Sequence, residues 1–441
     1  MLCRWSAGTA PMSSRSKTAK HPSASRSPKP SKRVSRWRRR LKRAVLVLGV
    51  ATPVLAIGLW IAIHRIPWLG PALADGLRSV VGPTAVSRLQ DILYGVEDRW
   101  KRYWREGEEP KAYWEVPEST GGASSSQATP GGASASASAG GAGVGGAGAG
   151  DQGLPAFALP DVGPMFEVLA AKGDGVWVPV VDPYRPGAAP AMLKTLLHPD
   201  RKRPWAELFL IALDLRRIEL HPVVGRYEPR ALQPDAKDAE RPAVIPTAHR
   251  EGLIAAFNGG FKAEHGRWGM SVGGVTFIRP RKHGCTLARY RDGSLGIDPW
   301  HDVEARKNDM LWWRQTPPCM YRKSTRHGSL WDPEAKGWGA ALEGGTVIRR
   351  SAIGLTVLRD VLYVSVSNDT NARAIADGMH HVGCVDVAQL DVNWSYPKIV
   401  LFPRGSDGQR EPRSLFEGFK VDEGEYLREP SPRDFFYVTR R

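Results

Sequence analysis

A chain of 441 residues is long enough for one large or two small domains with tails, and its formal net charge is +17. The charge is concentrated at one end: residues 1–43 hold 14 Lys and Arg with no Asp or Glu, so 17 − 14 leaves +3 for the remainder. A basic body built to grip nucleic acid is thereby excluded beyond residue 43, no nucleic-acid partner is expected, and cysteine use is sparse, with four in all.

Residues 1–43 are rich in Ser and Pro and cannot bury enough apolar surface to fold, so a disordered basic tail is expected there. The next stretch, 44–63, reads AVLVLGVATPVLAIGLWIAI without a charge, which as a helix covers the ~30 Å hydrocarbon core of a bilayer. Pro53 sits mid-span, where lipid-embedded helices tolerate it with a kink. The cluster Arg38-Arg39-Arg40-Leu41-Lys42-Arg43 abuts the span, so the positive-inside rule keeps the tail cytoplasmic and exports the chain beyond the span to a periplasmic or extracellular space. Trp60 and Trp68 then fall near the outer interface. A cleaved signal peptide would use Ala72-Leu73-Ala74, but the apolar core exceeds the roughly 7–15 residues of a signal sequence, and that site lies well past its end. The reading is a single-pass membrane anchor over 44–64, with the tail as a topology and anionic-lipid signal.

Residues 65–118 form a juxtamembrane segment. Pro83 suits a first helical turn, and Val86, Leu89, Leu93, Val96, Trp100 and Tyr103 recur at spacings of three and four, predicting an amphipathic helix over 83–105. Such a helix can lie on a membrane, pair with another copy or pack on the main domain, and packing is the expectation. Residues 119–153 are almost wholly Gly, Ala and Ser, the composition of a flexible tether. The globular domain is expected at 154–441.

Within it, 192–197 predicts a short helix ended by His198-Pro199, and 208–214 and 218–224 predict strands. A short helix is expected in 245–252, then strands at 253–257 and 275–278. Asp292-Gly293 between 286–290 and 294–297 is the chain's strongest hairpin signal. Residues 302–339 carry many Trp, Pro and Gly without periodicity and predict no regular element. Residues 357–366 read as a strand, or as a hairpin broken at Arg359-Asp360. Thr370 or Asn371 can cap a helix with Ile375, Met379 and Val382 on one face, ended by Gly383. A strand over 384–390 then places Asp391 at its C-terminal end. Strand, helix, strand predicts a crossover, and with the hairpins it gives an α+β fold: a mixed β-sheet with packed helices.

Three stretches carry the functional signal. Asn258-Gly259-Gly260-Phe261 comes after a buried strand, where paired glycines imply positive φ or close approach to the backbone. Lys262, Glu264, His265 and Arg267 come next, a density that suits an anionic polar ligand; the plain alternative is an Asn-Gly turn with a solvated loop. The second stretch is Arg350-Ser351-Ala352-Ile353-Gly354 before a strand, and the third is Leu390-Asp391-Val392-Asn393-Trp394-Ser395. Together, over roughly residues 209–402, these resemble the phosphodiester glycosidase family, with its NGGF element, its R-x-A-I-G-type element and a helix–strand unit ending in LDGGGS. The third element departs, because Val392-Asn393-Trp394 replaces the glycine run.

Cleaving a sugar 1-phosphodiester passes through an oxocarbenium-like state that a carboxylate stabilises, while the departing phosphate benefits from cationic donors. The resemblance implies Asp391 as that carboxylate, with Asn258 and the Gly259 and Gly260 amides on sugar or phosphate. Glu264 is a second carboxylate. Arg350 can clamp phosphate or pair with Asp391. Lys262, His265, Arg267, Asn393 and Trp394 complete the candidate substrate site, Trp394 as a stacking face or a plug. His265, His283, His380 and His381 form no chelating pattern, so no transition-metal site is expected; Asp369, Asp391 and Asn393 offer oxygen ligands to calcium. Cys285, Cys319 and Cys384 permit one disulfide, with Cys319–Cys384 one of three pairings. Two functions are compatible with this: a hydrolase of envelope glycans or exopolysaccharide, and a non-catalytic glycan binder on the same fold.

The anchor makes a direct forecast. The intact protein should stay with the membrane through high-salt and carbonate washing, and protease added from the exported side should release a fragment cut within 119–153. A soluble exported form beginning at Asp75 would identify a cleaved signal instead.

Overall fold

Long apolar runs that alternate between two buried faces govern the architecture. The computed structural model describes residues 80–115, 153–182, 185, 187–331, 338 and 347–441, together with 49, 51–62, 65, 66, 69, 73, 76 and 77. The basic tail, most of the Gly/Ala/Ser tether and part of the 44–63 run lie outside the described residues. The chain divides into two units, Met1–Leu73 and Ala74–Arg441. In the first, residues 51–62 are helical; among the described residues no helix is long and apolar enough to cross a membrane.

The second unit is α+β and is built on three sheets. In the eight-stranded sheet, Glu207–Asp214, Val361–Thr370, Ile348–Leu355 and Asp386–Val392 lie side by side in that order. A five-stranded sheet is centred on Leu253–Asn258, between Ile399–Leu401 and Phe435–Arg440, with Ile218–Val223 at its edge. Another five-stranded sheet has Met310–Thr316 between Met270–Val272 and Cys285–Tyr290. Neighbouring strands are antiparallel throughout the described ladders, so the sheets are not mixed as expected.

Phe209, Ile211 and Leu213 turn to one core, shared with Ile254, Phe257, Leu287, Ile297, Trp312 and Phe436 from the other two sheets. Leu208, Leu210 and Ala212 turn to a second core on the opposite face. This two-sided burial is the period-2 geometry of a strand filled with apolar residues at every position.

Helix α1 (Pro83–Trp104) and helix α2 (Ala372–His381) are the two longer helices among the described residues of this unit. Asn371 caps α2 by accepting from the Ala374 amide at 2.8 Å, and Gly383 at φ +103° turns the chain out of it, as the residue pattern predicts. Val361–Thr370 and Asp386–Val392 are each antiparallel to the strand between them, hence parallel to each other, with α2 as the crossover. Ile375 and Met379 cover the second core.

Several expectations change. Met192–Leu197 is a strand rather than a helix, because it pairs along its whole length with Glu207–Asp214 and its apolar residues fill both faces. Residues 302–339, expected to be irregular, contain the central strand Met310–Thr316. The two strands expected at 208–214 and 218–224 do form, but they belong to different sheets. The hairpin across Asp292-Gly293 and the break at Arg359-Asp360 both form. Cys285 pairs with Cys319, not Cys319 with Cys384, and Cys384 is a buried free thiol. A disulfide inside the core is the chemistry of an oxidising, extracytoplasmic compartment.

The five-stranded sheet around Leu253–Asn258 also carries a titrating group. His221 stacks on Tyr437 with ring centroids 4.7 Å apart and bonds Thr439 Oγ1 at 2.9 Å. Burial pushes its imidazole down to about 4, Glu219 opposing and His249 adding to the fall. The unfolded imidazole binds its proton near 6.5, so the unfolded state holds more protons between the two values. Stability should therefore fall as pH drops from about 6.5 towards 4 and then level off. Urea denaturation across that range checks this, and His221→Phe should flatten the His221 part of the slope.

Candidate active site

The three motif stretches meet at one end of two adjoining sheets. Asn258 closes its strand and donates from Nδ2 to Ser351 Oγ at 2.8 Å. Ser351 Oγ in turn donates to the Asp391 carbonyl at 3.1 Å, and Asn258 Oδ1 accepts from the Lys398 amide at 3.2 Å. One short chain of hydrogen bonds thus joins the Asn-Gly-Gly, Arg-Ser-Ala-Ile-Gly and Leu-Asp elements. The ladder is irregular at this point: pairing shifts between Arg350/Val392 and Ala352/Gln389, and again between Ile348 and Arg350 on the other side. Bulges of this kind re-aim side chains next to sites.

The glycine pair has a packing reason. A Cβ on Gly259 would lie 2.4 Å from the Asp434 carbonyl oxygen, and one on Gly260 would lie 2.9 Å from the Arg314 guanidinium carbon. Neither glycine has positive φ; what approaches them is protein. The Gly259 amide donates to the Asp434 carbonyl at 3.0 Å and the Gly260 amide to Asp434 Oδ2 at 3.1 Å. Arg314 binds Asp434 Oδ2 at 2.8 Å and Oδ1 at 3.2 Å, and also donates to the carbonyls of Phe261 and Trp268. Both side chains of this pair are buried.

Asp391 is buried beside that frame. Its Oδ2 pairs with Arg433 Nη1 at 2.6 Å and accepts from Asn393 Nδ2. Arg433 also donates to the Gly260 carbonyl at 3.0 Å and lies over the Tyr396 ring at 4.1 Å. Burial works against the Arg433 charge, but its neighbours together, Asp391 foremost, raise its pKa. Burial holds the Tyr396 phenol well above its ordinary range, Arg433 opposing, so it is neutral at physiological pH; its hydroxyl donates to the Asp434 carbonyl at 2.5 Å. Asn393 Oδ1 accepts from the Ser395 amide at 3.0 Å and the Tyr396 amide at 2.6 Å. Where the resembled family has glycines, an asparagine side chain therefore builds the turn and pins the carboxylate.

Arg350, offered as a partner of Asp391, is fully buried and binds the carbonyls of Thr370 at 3.1 Å and Trp338 at 2.5 Å, with Gln389 Oε1 at 3.1 Å. The partner of Asp391 is Arg433, far along the chain. Trp394 is half-buried and packs with Tyr94 of α1 against Phe261, Trp268, Ile348 and Val392. Glu264 lies on the exposed loop after the glycines, 3.4 Å from Arg230, 3.8 Å from Lys262 and 3.6 Å from His265. Arg267 on the same loop is exposed, at φ +52°. Of the suggested calcium ligands, Asp369 takes Lys101 at 2.8 Å and Asp391 takes Arg433, which neutralises both charges. Among the described residues no group of three or more His, Cys, Asp or Glu could hold a metal ion.

Arg433, Asp434, Arg314, Tyr396 and Tyr94 are the members that sequence reasoning passes over. Arg433-Asp434 immediately before the apolar run at 435–438 was the available signal: adjacent opposite charges at the mouth of a strand.

No family model matches the chain, and no curated protein matches it. Among solved structures it is similar to the catalytic domain of zebrafish N-acetylglucosamine-1-phosphodiester alpha-N-acetylglucosaminidase, auto-inhibited by its pro-peptide. Identity there is 13%, the TM-score is 0.38, and the match covers 58% of this chain and 85% of that one. It is also similar to a hypothetical protein from Synechocystis, with 11% identity, TM-score 0.33, and 58% and 65% of the two chains covered. A protein from Burkholderia pseudomallei described as exported gives 10% identity, TM-score 0.26, and coverage of 53% and 74%.

The buried Asp391–Arg433 pair predicts a stability signature. Asp391→Asn should cost about 3–5 kcal/mol, since it strands the Arg433 charge in the interior. Combining it with Arg433→Gln should recover most of that loss, which a double-mutant cycle in urea would measure.

Proposed function

We propose that this chain is a membrane-anchored, exported hydrolase that cleaves sugar 1-phosphodiester bonds in envelope glycans or exopolysaccharide. The observation that carries the reading is the hydrogen-bonded chain Asn258–Ser351–Asp391, which joins in space three stretches that resemble one family and lie far apart in sequence. The anchor is residues 44–63, and the core disulfide suits the exported side.

In this reading Asp391 faces the anomeric carbon, and Arg433 and the Asn393 amide hold its carboxyl group in one orientation. Asn258 and the Gly259-Gly260 turn shape the sugar pocket. The loop cations Lys262, His265 and Arg267 meet the phosphate, whose departure needs charge compensation more than a proton. Glu264 orients those cations. Trp394, beside Tyr94, gives the sugar ring a stacking face.

The second reading, a glycan binder without turnover, is favoured by the tight engagement of the Asp391 carboxylate with Arg433 and Asn393. A panel of alkyl sugar 1-phosphodiesters offered to the detergent-solubilised full-length chain separates the two. Hydrolysis predicts release of free sugar, abolished in Asp391→Asn and still absent in the Asp391→Asn/Arg433→Gln variant whose stability is restored. Turnover by that folded double variant would remove Asp391 from the chemistry. No turnover by the native chain, with glycan affinity lost on Trp394→Ala, would establish the binder.

A further inference from the structure

Helix α1 is docked the unexpected way round. Its polar side faces the domain: Asp98 receives both arms of Arg203 at 2.6 and 2.7 Å, and Lys101 reaches Asp369 at 2.8 Å. Tyr94, from the same side, packs into the apolar cluster beside Trp394. Leu89, Ile92, Leu93, Val96, Trp100, Tyr103 and Trp104 fall within about a 120° arc at the helical repeat of 100° per residue. All seven are exposed: Leu93 by 58%, Trp100 by 64% and Tyr103 by 73%.

A soluble protein seldom leaves such a continuous stripe to water. Its composition runs from aliphatic at the start to aromatic at the end, where Trp100, Tyr103 and Trp104 cluster with ring centroids 5.5–5.7 Å apart. Trp and Tyr in that position are the side chains of the bilayer interface. Of the acidic groups, Glu97 shares Lys101, at 3.0 Å, with Asp369, and Asp98 pairs with Arg203 and Arg102, while Arg99 is exposed beside the stripe. The acidic residues Glu106, Glu108 and Glu109 begin only after the helix ends. Only residues 64–82 connect α1 to the uncharged run at 44–63.

We propose that the outward stripe of α1 lies in the headgroup region of the bilayer, as a second membrane contact that fixes the domain on the surface. The inference rests on the anchor reading for its choice of occupant, in preference to a second copy of the chain.

Nitroxide labels test it in the full-length protein, with Cys3→Ser to clear the native site and Cys384 buried. Leu93→Cys and Val96→Cys probe the stripe, and exposed Gln409→Cys is the control. In vesicles of phosphatidylethanolamine and phosphatidylglycerol, labels at 93 and 96 should collide several-fold less with an aqueous nickel chelate than the label at 409, and several-fold more with oxygen. Labels at 93 and 96 as open to nickel as the control, in protein that resists carbonate, would overturn the docking while leaving the anchor standing. Strong dipolar coupling between copies labelled at 93 would also overturn it, by assigning the stripe to a second copy. Should carbonate release the native chain while Leu93→Glu/Trp100→Glu abolishes vesicle binding altogether, the stripe binds lipid and the anchor reading fails.

Discussion

The Arg314–Asp434 pair is the contact on which the candidate site depends. Two opposite charges sit in the interior, at 1% side-chain exposure each, where either one alone would be costly. They are tolerated because their remaining hydrogen-bonding capacity is spent on backbone: Asp434 takes the Gly260 amide, and Arg314 takes the carbonyls of Phe261, Trp268 and Gln315. The pair therefore links the strands Met310–Thr316 and Phe435–Arg440 of two different sheets through the loop beyond Asn258. A hydrophobic replacement could fill the same volume, but it could not dictate where that loop goes.

A second buried pair is built on this frame, and its character differs. Arg433 shares its guanidinium between Asp391, the Gly260 carbonyl and the face of Tyr396, so one cation reports on the carboxylate, the glycine turn and the aromatic wall together. Asn393 does locally what a glycine run would do by backbone freedom. It makes a turn by side-chain hydrogen bonds, at the cost of a bulkier loop that ends in Trp394. The orientation of Asp391 is consequently set by the protein's own contacts with Arg433 and Asn393.

Much of this is legible in the sequence, for identifiable reasons. Strong local signals survive into structure: Asp292-Gly293 makes its hairpin, Asn371 its cap and Gly383 its helix end. The convergence of Asn258, Ser351 and Asp391 can be read only through the motif resemblance, because nothing in spacing alone joins positions so far apart. Met192–Leu197 reads wrongly as a helix because a strand buried on both faces loses the alternation that marks strands. Met310–Thr316 escapes notice because Trp312 and Trp313 are adjacent and face two different cores, which erases periodicity altogether. Arg433 and Asp434 give only the weak signal of adjacent opposite charges before a strand; their roles exist only once Gly259 and Gly260 are beside them.

The placement of Phe435–Arg440 also bears on how the chain assembles. That strand lies between Leu253–Asn258 and Ile218–Val223, which precede it by some of the longest sequence separations in the domain. During vectorial synthesis the Asn258 strand must wait, with one edge open, until residues 435–440 emerge. Non-local pairing of this sort slows folding and exposes apolar edges to aggregation. The sheet around Asn258 therefore closes only when the last of these strands is available.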